Sequence, residues 1–326
     1  MTAPPSDLRT LLPADRLAAV AGGCALTIGN FDGVHVGHQA ILAEARAWAD
    51  ERGLPVAALT FEPHPVSVFR GQPADTFRLT TNATREALLE ASGVDVVLTV
   101  PFDKSFAALT AESFVQDLVV DTLHARRAHV GWDFNFGARR SGNTDTLQRL
   151  GDALGLEVHV HSAVELDGAP ISSTRVRTAL RRGDLDLVES LLGRPWFVEG
   201  TTEAGAGRGE GIGIPTVNLY PRDIVTPTHG VYATRLTLGG RTWAGISNLG
   251  VRPTFDDGDE RVSLETMVLE PFEVEARGVP ARVELLSVIR DERTFDGPDA
   301  LKAQIQQDVA AARAEHARRG MTAPDA

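Results

Sequence analysis

Residues Thr27 to His38 read TIGNFDGVHVGH, placing two imidazoles, His35 and His38, three positions apart among Gly29, Gly33 and Gly37. An imidazole can donate a hydrogen bond, accept one or ligate a metal. Glycines let backbone approach a ligand closely, and a helix start offers unpaired N–H groups that favour phosphate. The segment therefore reads as an anion site if it leads from a strand into a helix. Two other readings remain. The histidines could be solvated or satisfied in a core, or they could hold zinc, for which no third ligand is near. Asn30 and Asp32 are ordinary turn formers.

A second chemical candidate is RGEGIGIPTVNL, Arg208 to Leu219. By composition it is a glycine-rich loop feeding a strand, since Pro215 bars a ladder bond at its own position. Further on, VSLETMVLE carries Glu265 on a strand-like run, where a solvated surface carboxylate is the simplest reading.

From Cys24 to about Arg182 strand-like and helix-like runs alternate. CALTIG, PVAALTF, DVVLTV, RAHVGW and LEVHVH are strand-like. HQAILAEARAWADERG, NATREALLEASG, AESFVQDLVVDTLHA and NTDTLQRLGDALG lie between them. In the first helix Ile41, Leu42, Ala45 and Trp48 recur at helical spacing, and Gly53 is a stop signal. Short apolar strands between such helices predict a doubly wound α/β parallel sheet. In such a sheet ligands bind at the carboxyl ends of strands, where TIGNFDGVHVGH lies.

Beyond TRVRTALRRGDLDLVESLLGRPW the texture becomes short β-like runs broken by Gly and Pro. VYATRLTLGGRTWAGISN predicts a hairpin turning at Gly239-Gly240, and ARVELLSVIR predicts another strand. A helix is expected from about Asp299 to Arg319, with Leu301, Ile305 and Val309 on one face and Gly320 at its end. The expected division is an α/β domain over 1–184 and a small antiparallel β domain with a C-terminal helix over 185–326.

Composition limits the function classes. Hydrophobic residues at 43% and charged residues at 23% are those of a globular chain. A net charge of -12 disfavours a general nucleic-acid or membrane-surface binder but leaves room for a nucleotide pocket with local arginines. Cys24 is the only cysteine, so no internal disulfide forms, which fits a reducing compartment. No signal peptide is evident at the N-terminus and no apolar run approaches the ~20 residues of a membrane span. The expectation is a cytoplasmic protein acting on small molecules, of unknown oligomeric state.

GNFDGVHVGHQ resembles the GxFDGxHxGH signature of the nucleotidylyltransferase superfamily. FEPHP (Phe61 to Pro65), GWDFNFG (Gly131 to Gly137) and ISSTRVR (Ile171 to Arg177) follow in order, each behind a strand. Together they are similar to the adenylyltransferase half of bacterial bifunctional riboflavin kinase/FAD synthetases. The resemblance implies that Gly29, Asn30, Phe31, Asp32, Gly33, His35 and His38 line an ATP site. Ser172, Thr174 and Arg177 would hold the β- and γ-phosphates from the opposite side, with Arg175 either a helper or a surface residue. His64 either faces flavin or phosphate, or fixes the turn between two prolines. Phe61 and Asn135 are assigned to the flavin side.

GIPTVN resembles the riboflavin kinase motif GxPTAN, with Val217 in place of alanine. The resemblance gives Thr216 and Asn218 to Mg²⁺ and ATP phosphates, and both offer hard oxygen ligands. Gly209, Gly211, Gly213 and Pro215 would form the phosphate cover. Glu265 aligns with the family's carboxylate at the riboflavin 5′-hydroxyl, and Arg290 sits where the family carries an arginine, facing flavin or a loop. GVYA and NLGVRPTF match family segments in order. ETMVLEPFEVEARG departs from the family pattern, lacking its histidine, aspartate and tyrosine. The implied activity is riboflavin to FMN, then FMN to FAD with pyrophosphate release, with ATP, riboflavin, FMN and FAD as substrates and products. The alternatives are an adenylyltransferase with a kinase-inactive flavin-binding domain, or a non-catalytic flavin-nucleotide carrier.

Overall fold

The five apolar runs of the first half are the strands β1 (Cys24–Ile28), β2 (Val56–Glu62), β3 (Val96–Pro101), β4 (Ala125–Gly131) and β5 (Glu157–His161). Every residue of β1 is buried, as expected of a strand covered on both faces. The computed structural model describes Pro5 and residues 7–203, 216–253, 260–270 and 277–321. The chain divides into two compact units, Met1–Ser173 and Thr174–Ala326.

In the first unit the neighbouring strands of the five-stranded sheet all run parallel, in the order β3-β2-β1-β4-β5. The winding reverses between β1 and β4, and that reversal opens a crevice at the carboxyl ends of these two strands. The covering helices are α1 (Ala14–Val20), α2 (Val36–Asp50), α3 (Pro65–Arg70), α4 (Asn82–Ala91), α5 (Ala111–Ser113) and α6 (Thr144–Leu154). Alternation along β1 divides the core: Cys24, Leu26 and Ile28 join Val115 and Leu118, whereas Ala25 joins Phe31, Leu42 and Trp48 under α2. The expected α-helix over AESFVQDLVVDTLHA is α5 followed by a π-helical stretch, Phe114–Val120. Its wider turns keep Phe114, Val115, Leu118 and Val119 all buried. The short hairpin of β6 (Glu165–Leu166) and β7 (Ala169–Pro170) leads to α7 (Ser173–Arg181), which begins in the first unit and continues in the second.

The second unit adds α8 (Leu185–Leu192) and a six-stranded antiparallel sheet ordered β8-β13-β10-β11-β12-β9. Its strands are β8 (Trp196–Thr201), β9 (Thr216–Leu219), β10 (Gly230–Leu238), β11 (Arg241–Pro253), β12 (Glu260–Val268) and β13 (Pro280–Asp291). Gly239 and Gly240 turn the β10–β11 hairpin with φ of 57° and 78°, a pair of left-handed residues that matches the twist of the strands. The two sheet edges meet where Glu203 N–H donates to Asn218 O at 3.1 Å, curling the sheet towards a barrel.

The C-terminal helix α9 (Pro298–Arg318) packs Val309 and Ala312 on Val231, Ala233 and Ile246. The expected apolar stripe is only part of its buried face. Asp308, at 4% exposure, and His316, at 3%, lie on it as well. Each has a partner across the interface, Asp308 in Arg290 and His316 Nε2 in Gly245 O at 2.9 Å, while His316 Nδ1 is buried without a hydrogen-bond partner among the described residues.

Candidate functional site

The loop after β1 is built from backbone conformations that side-chain-bearing residues avoid. Phe31 and Val34 have φ of 49° and 40°, and for a β-branched residue such as Val34 this is a strained state. Among the bonds that hold it are Val34 N–H to Phe31 O at 3.1 Å, Gln39 Nε2 to Val34 O at 2.9 Å, and Gly33 N–H to Thr80 Oγ1 at 3.4 Å. The strain directs the chain so that His35 becomes the N-cap of α2. Its Nδ1 accepts from His38 N–H at 3.3 Å, which places the proton of the neutral ring on Nε2.

His38 then stacks on His35 with ring centroids 3.6 Å apart and planes 17° from parallel, while Phe31 meets its edge at 5.2 Å. His38 Nδ1 is buried with no hydrogen-bond partner among the described residues. Burial, and then the neighbouring His35, hold the His38 pKa well below the usual imidazole value. The His38 ring is therefore neutral, and both imidazoles stand as donors at the start of a fifteen-residue helix, an arrangement suited to phosphate. Gly37 makes the stack possible, because a Cβ there would lie 3.2 Å from His35 Nδ1 and Cε1.

The remaining residues of the motif have distinct environments. Gly29 and Asn30 follow the carboxyl end of β1, and the Asn30 side chain is exposed. Phe31 is 2% exposed and belongs to the core under α2. Asp32 is also buried, and its Oδ1 accepts from Leu79 N–H at 2.9 Å, so its carboxylate fastens the loop to the segment before α4.

Two arginines that sequence reasoning passed over support the same loop. Arg85, 1% exposed, donates to Asn30 O at 3.2 Å and Phe61 O at 3.3 Å, and also bonds the Asn82 side chain. Arg78 donates to Glu62 at 2.9 Å, and the same carboxylate faces Arg85 at 3.5 Å. Burial and the nearby Arg78 depress the Arg85 pKa, opposed by Glu62. The cluster ties the ends of β1 and β2 together.

The beginning of ISSTRVR lies against this loop. Ser173 Oγ donates to Asp32 O at 2.8 Å, and Ile171 O is 3.6 Å from where a Gly37 Cβ would stand. Ser172 precedes α7, Thr174 is exposed on its first turn, and Arg177 donates to Thr174 Oγ1 at 3.4 Å.

His64 is 5% exposed and caps α3, its Nδ1 accepting from Val66 N–H at 3.2 Å. Of the two readings of this residue, turn fixing is visible in the geometry. Asn135 is exposed, with Nδ2 donating to Asp133 O at 2.7 Å. Phe61 is half-buried within a chain of ring contacts. Phe69 meets Phe102 at 5.7 Å, Phe102 meets Phe61 at 5.6 Å, and Phe61 meets Phe106 at 5.8 Å. The chain continues through Phe114 and Phe136 to Phe134. Phe69 at one end is 66% exposed and Trp132, beside Phe134 in sequence, is 54% exposed. Apolar rings open to water beside a phosphate-type site suit a planar aromatic ligand.

In the second unit the register aligns Asn218 with Glu265 and Glu265 with Asn248. Directly opposed residues of antiparallel strands share a face, so Glu265 stands between two amides. Asn218 is 3% exposed; its Nδ2 donates to Thr216 O at 3.3 Å, and its Oδ1 is buried without a hydrogen-bond partner among the described residues. Thr216, two residues earlier, points to the same face. Gly209, Gly211, Gly213 and Pro215 lie outside the described residues. Arg290 is engaged on α9: its Nε lies 3.1 and 3.0 Å from the Asp308 oxygens, its Nη2 lies 2.9 Å from Asp308, and Gln304 adds a bond to that carboxylate.

Comparison with known proteins agrees with this architecture. The FAD synthetase family model matches residues 18–175 and the riboflavin kinase model residues 192–316. A bifunctional riboflavin kinase/FMN adenylyltransferase of Pseudomonas fluorescens is 41% identical, covering 90% of this chain and 93% of that one. Its namesake in Escherichia coli K12 is 42% identical, covering 89% and 92%. A crystal structure described as a macrolide-efflux protein from Streptococcus pneumoniae superposes with a TM-score of 0.81 at 28% identity, covering 96% of this chain and 98% of that chain. No helix among the described residues is long and apolar enough to cross a membrane. Matched over nearly the full length of such relatives, and by both family models in turn, this chain belongs to the bifunctional riboflavin kinase/FMN adenylyltransferase family.

Proposed function

We propose that the two activities of this chain, phosphorylation of riboflavin to FMN and adenylylation of FMN to FAD, are divided between the two sites described above. ATP serves both steps, and riboflavin, FMN and FAD are substrates and products. The single observation that carries the adenylyltransferase assignment is the stacked His35–His38 pair capping α2 at the strand-order reversal.

In adenylyl transfer an oxygen of the FMN phosphate attacks the α-phosphorus of ATP. A new P–O–P bridge forms while the bond from the α-phosphorus to the β-bridging oxygen breaks, and pyrophosphate leaves. The nucleophile is already ionised, so no base is needed. The protein supplies positioning and stabilises developing charge. His35 Nε2–H, His38 and the first N–H groups of α2 donate to the phosphates, while Ser172, Thr174 and Arg177 grip the β- and γ-phosphates. The phenylalanines around Phe61, with the exposed Phe69 and Trp132, receive the flavin ring.

In kinase chemistry the riboflavin 5′-hydroxyl loses its proton as its oxygen bonds the γ-phosphorus and ADP departs. Glu265 accepts that proton. The buried, unbonded Asn218 Oδ1 and the neighbouring Thr216 hydroxyl are hard donors that fit Mg²⁺. Bound there, Mg²⁺ would offset the charge of the ATP phosphate oxygens. With Arg290 committed to Asp308, its contribution is to fix β13 on α9.

The test is a flavin separation after incubation with riboflavin, ATP and Mg²⁺. Wild type yields FMN and then FAD. Glu265→Gln loses FMN formation by roughly a hundredfold or more but still converts supplied FMN to FAD. Loss of both activities in folded Glu265→Gln would refute the division.

A further inference from the structure

Both proposed reactions leave one group of titratable side chains without a use. On the face of the parallel sheet covered by α2, the edge strand β5 presents His159 and His161, two residues apart and hence on one side. His129 of β4 lies beside His159 in register. Glu44 of α2 reaches over them, its Oε2 lying 3.2 Å from His159 Nε2 and 3.4 Å from His161 Nδ1. One ligand atom from each of Glu44, His159 and His161 falls within 4.8 Å of the others.

We propose that Glu44, His159 and His161 bind one transition-metal ion of the zinc class, with an open position for water. Around a tetrahedral Zn²⁺, bonds of ~2.0–2.1 Å set neighbouring donors ~3.3 Å apart, and both separations from the Glu44 oxygen are of that size. Two imidazoles and one carboxylate are the donors zinc takes where it keeps a fourth position open, and imidazole selects against Mg²⁺.

The surroundings are those of a ligand set. His161 is 5% exposed, and its Nε2 lies 3.1 Å from His129 Nδ1. With Nδ1 on the metal, His161 carries its proton on Nε2 and donates it to His129, the outer hydrogen bond that orients metal-bound histidines. Arg127 is the cation nearest this face; it lies 3.4 Å from Glu157 and over the Trp48 ring, and Glu44 supplies the negative charge that offsets it at the metal. Filled, the site would fasten the edge strand to α2, the helix whose first turn carries His35 and His38.

The test uses full-length protein freed of any affinity tag and stripped by a chelator, titrated with Zn²⁺ against a chromophoric competitor. Because His35 and His38 could also attract zinc, His38→Ala is titrated in parallel. One ion per chain is expected to bind wild type and His38→Ala alike, unaffected by Mg²⁺ in large excess. His159→Gln and Glu44→Gln change exposed side chains and should keep the wild-type thermal midpoint without metal, while binding Zn²⁺ at least about tenfold more weakly. Co²⁺ should give tetrahedral visible absorption bands in wild type that His159→Gln lacks. Any of three results would overturn the site: no stoichiometric binding, unchanged affinity in both Gln variants, or loss of binding in His38→Ala alone.

Discussion

His38 is the side chain whose protonation state matters most to the adenylyltransferase account. Burial and His35 hold it neutral in the free protein. A polyphosphate brought against it favours the charged form and raises its pKa, so ATP binding should take up protons at mildly acidic pH. Calorimetry of ATP binding in buffers of different ionisation heat would read this directly; a buffer-independent heat would contradict it. The same shifts bear on stability. His38, His129 and His161 all have folded-state pKa values below their ordinary value. Below pH ~6.5 the unfolded chain therefore binds more protons than the native one, and stability is lost as pH falls. For His129 the slope approaches ~1.4 kcal/mol per pH unit down to about 3. Urea midpoints measured from neutral to mildly acidic pH should drop; a flat profile would remove the buried neutral histidines from the account.

The elements that position these residues were legible to different depths. Strand–helix alternation was readable because buried parallel strands are short apolar runs, and the glycine hairpin because only a left-handed pair turns it. Arg85 was not readable. It looks like any charge on an amphipathic helix, and its role appears only when folding brings Asn30 O and Phe61 O to it. The capping role of His35 was hidden for a related reason, since histidine is outside the usual capping set. Asp308 escaped for the same reason as Arg85, because its partner Arg290 comes from another element. Replacing Asp308 by Ala should cost about 3 kcal/mol, by leaving a largely buried guanidinium unpaired, and would be seen as a lowered urea midpoint. Gly37→Ala separates geometry from stability. Alanine is the better helix former by up to ~1 kcal/mol, yet its Cβ would push on the His35 ring. Adenylylation should fall at least about tenfold with little change in melting temperature, and an unaffected rate would show that the stack is dispensable.

Over the full chain, two units of unlike architecture carry consecutive reactions, the product of one being a substrate of the other. In the division proposed above, the parallel sheet offers a crevice for a step that needs only charge stabilisation, and the antiparallel sheet sets a carboxylate between amides for a step that must remove a proton. The family models cover 18–175 and 192–316, and all of α8 but its last residue, Leu192, lies in the interval between them. The central claim is that the stacked imidazoles serve adenylyl transfer alone. It is tested most directly by following flavins over time in His38→Ala supplied with riboflavin, ATP and Mg²⁺. FMN should form at the wild-type rate and accumulate, with FAD formation slowed roughly a hundredfold or more. FAD appearing at the wild-type rate would contradict it.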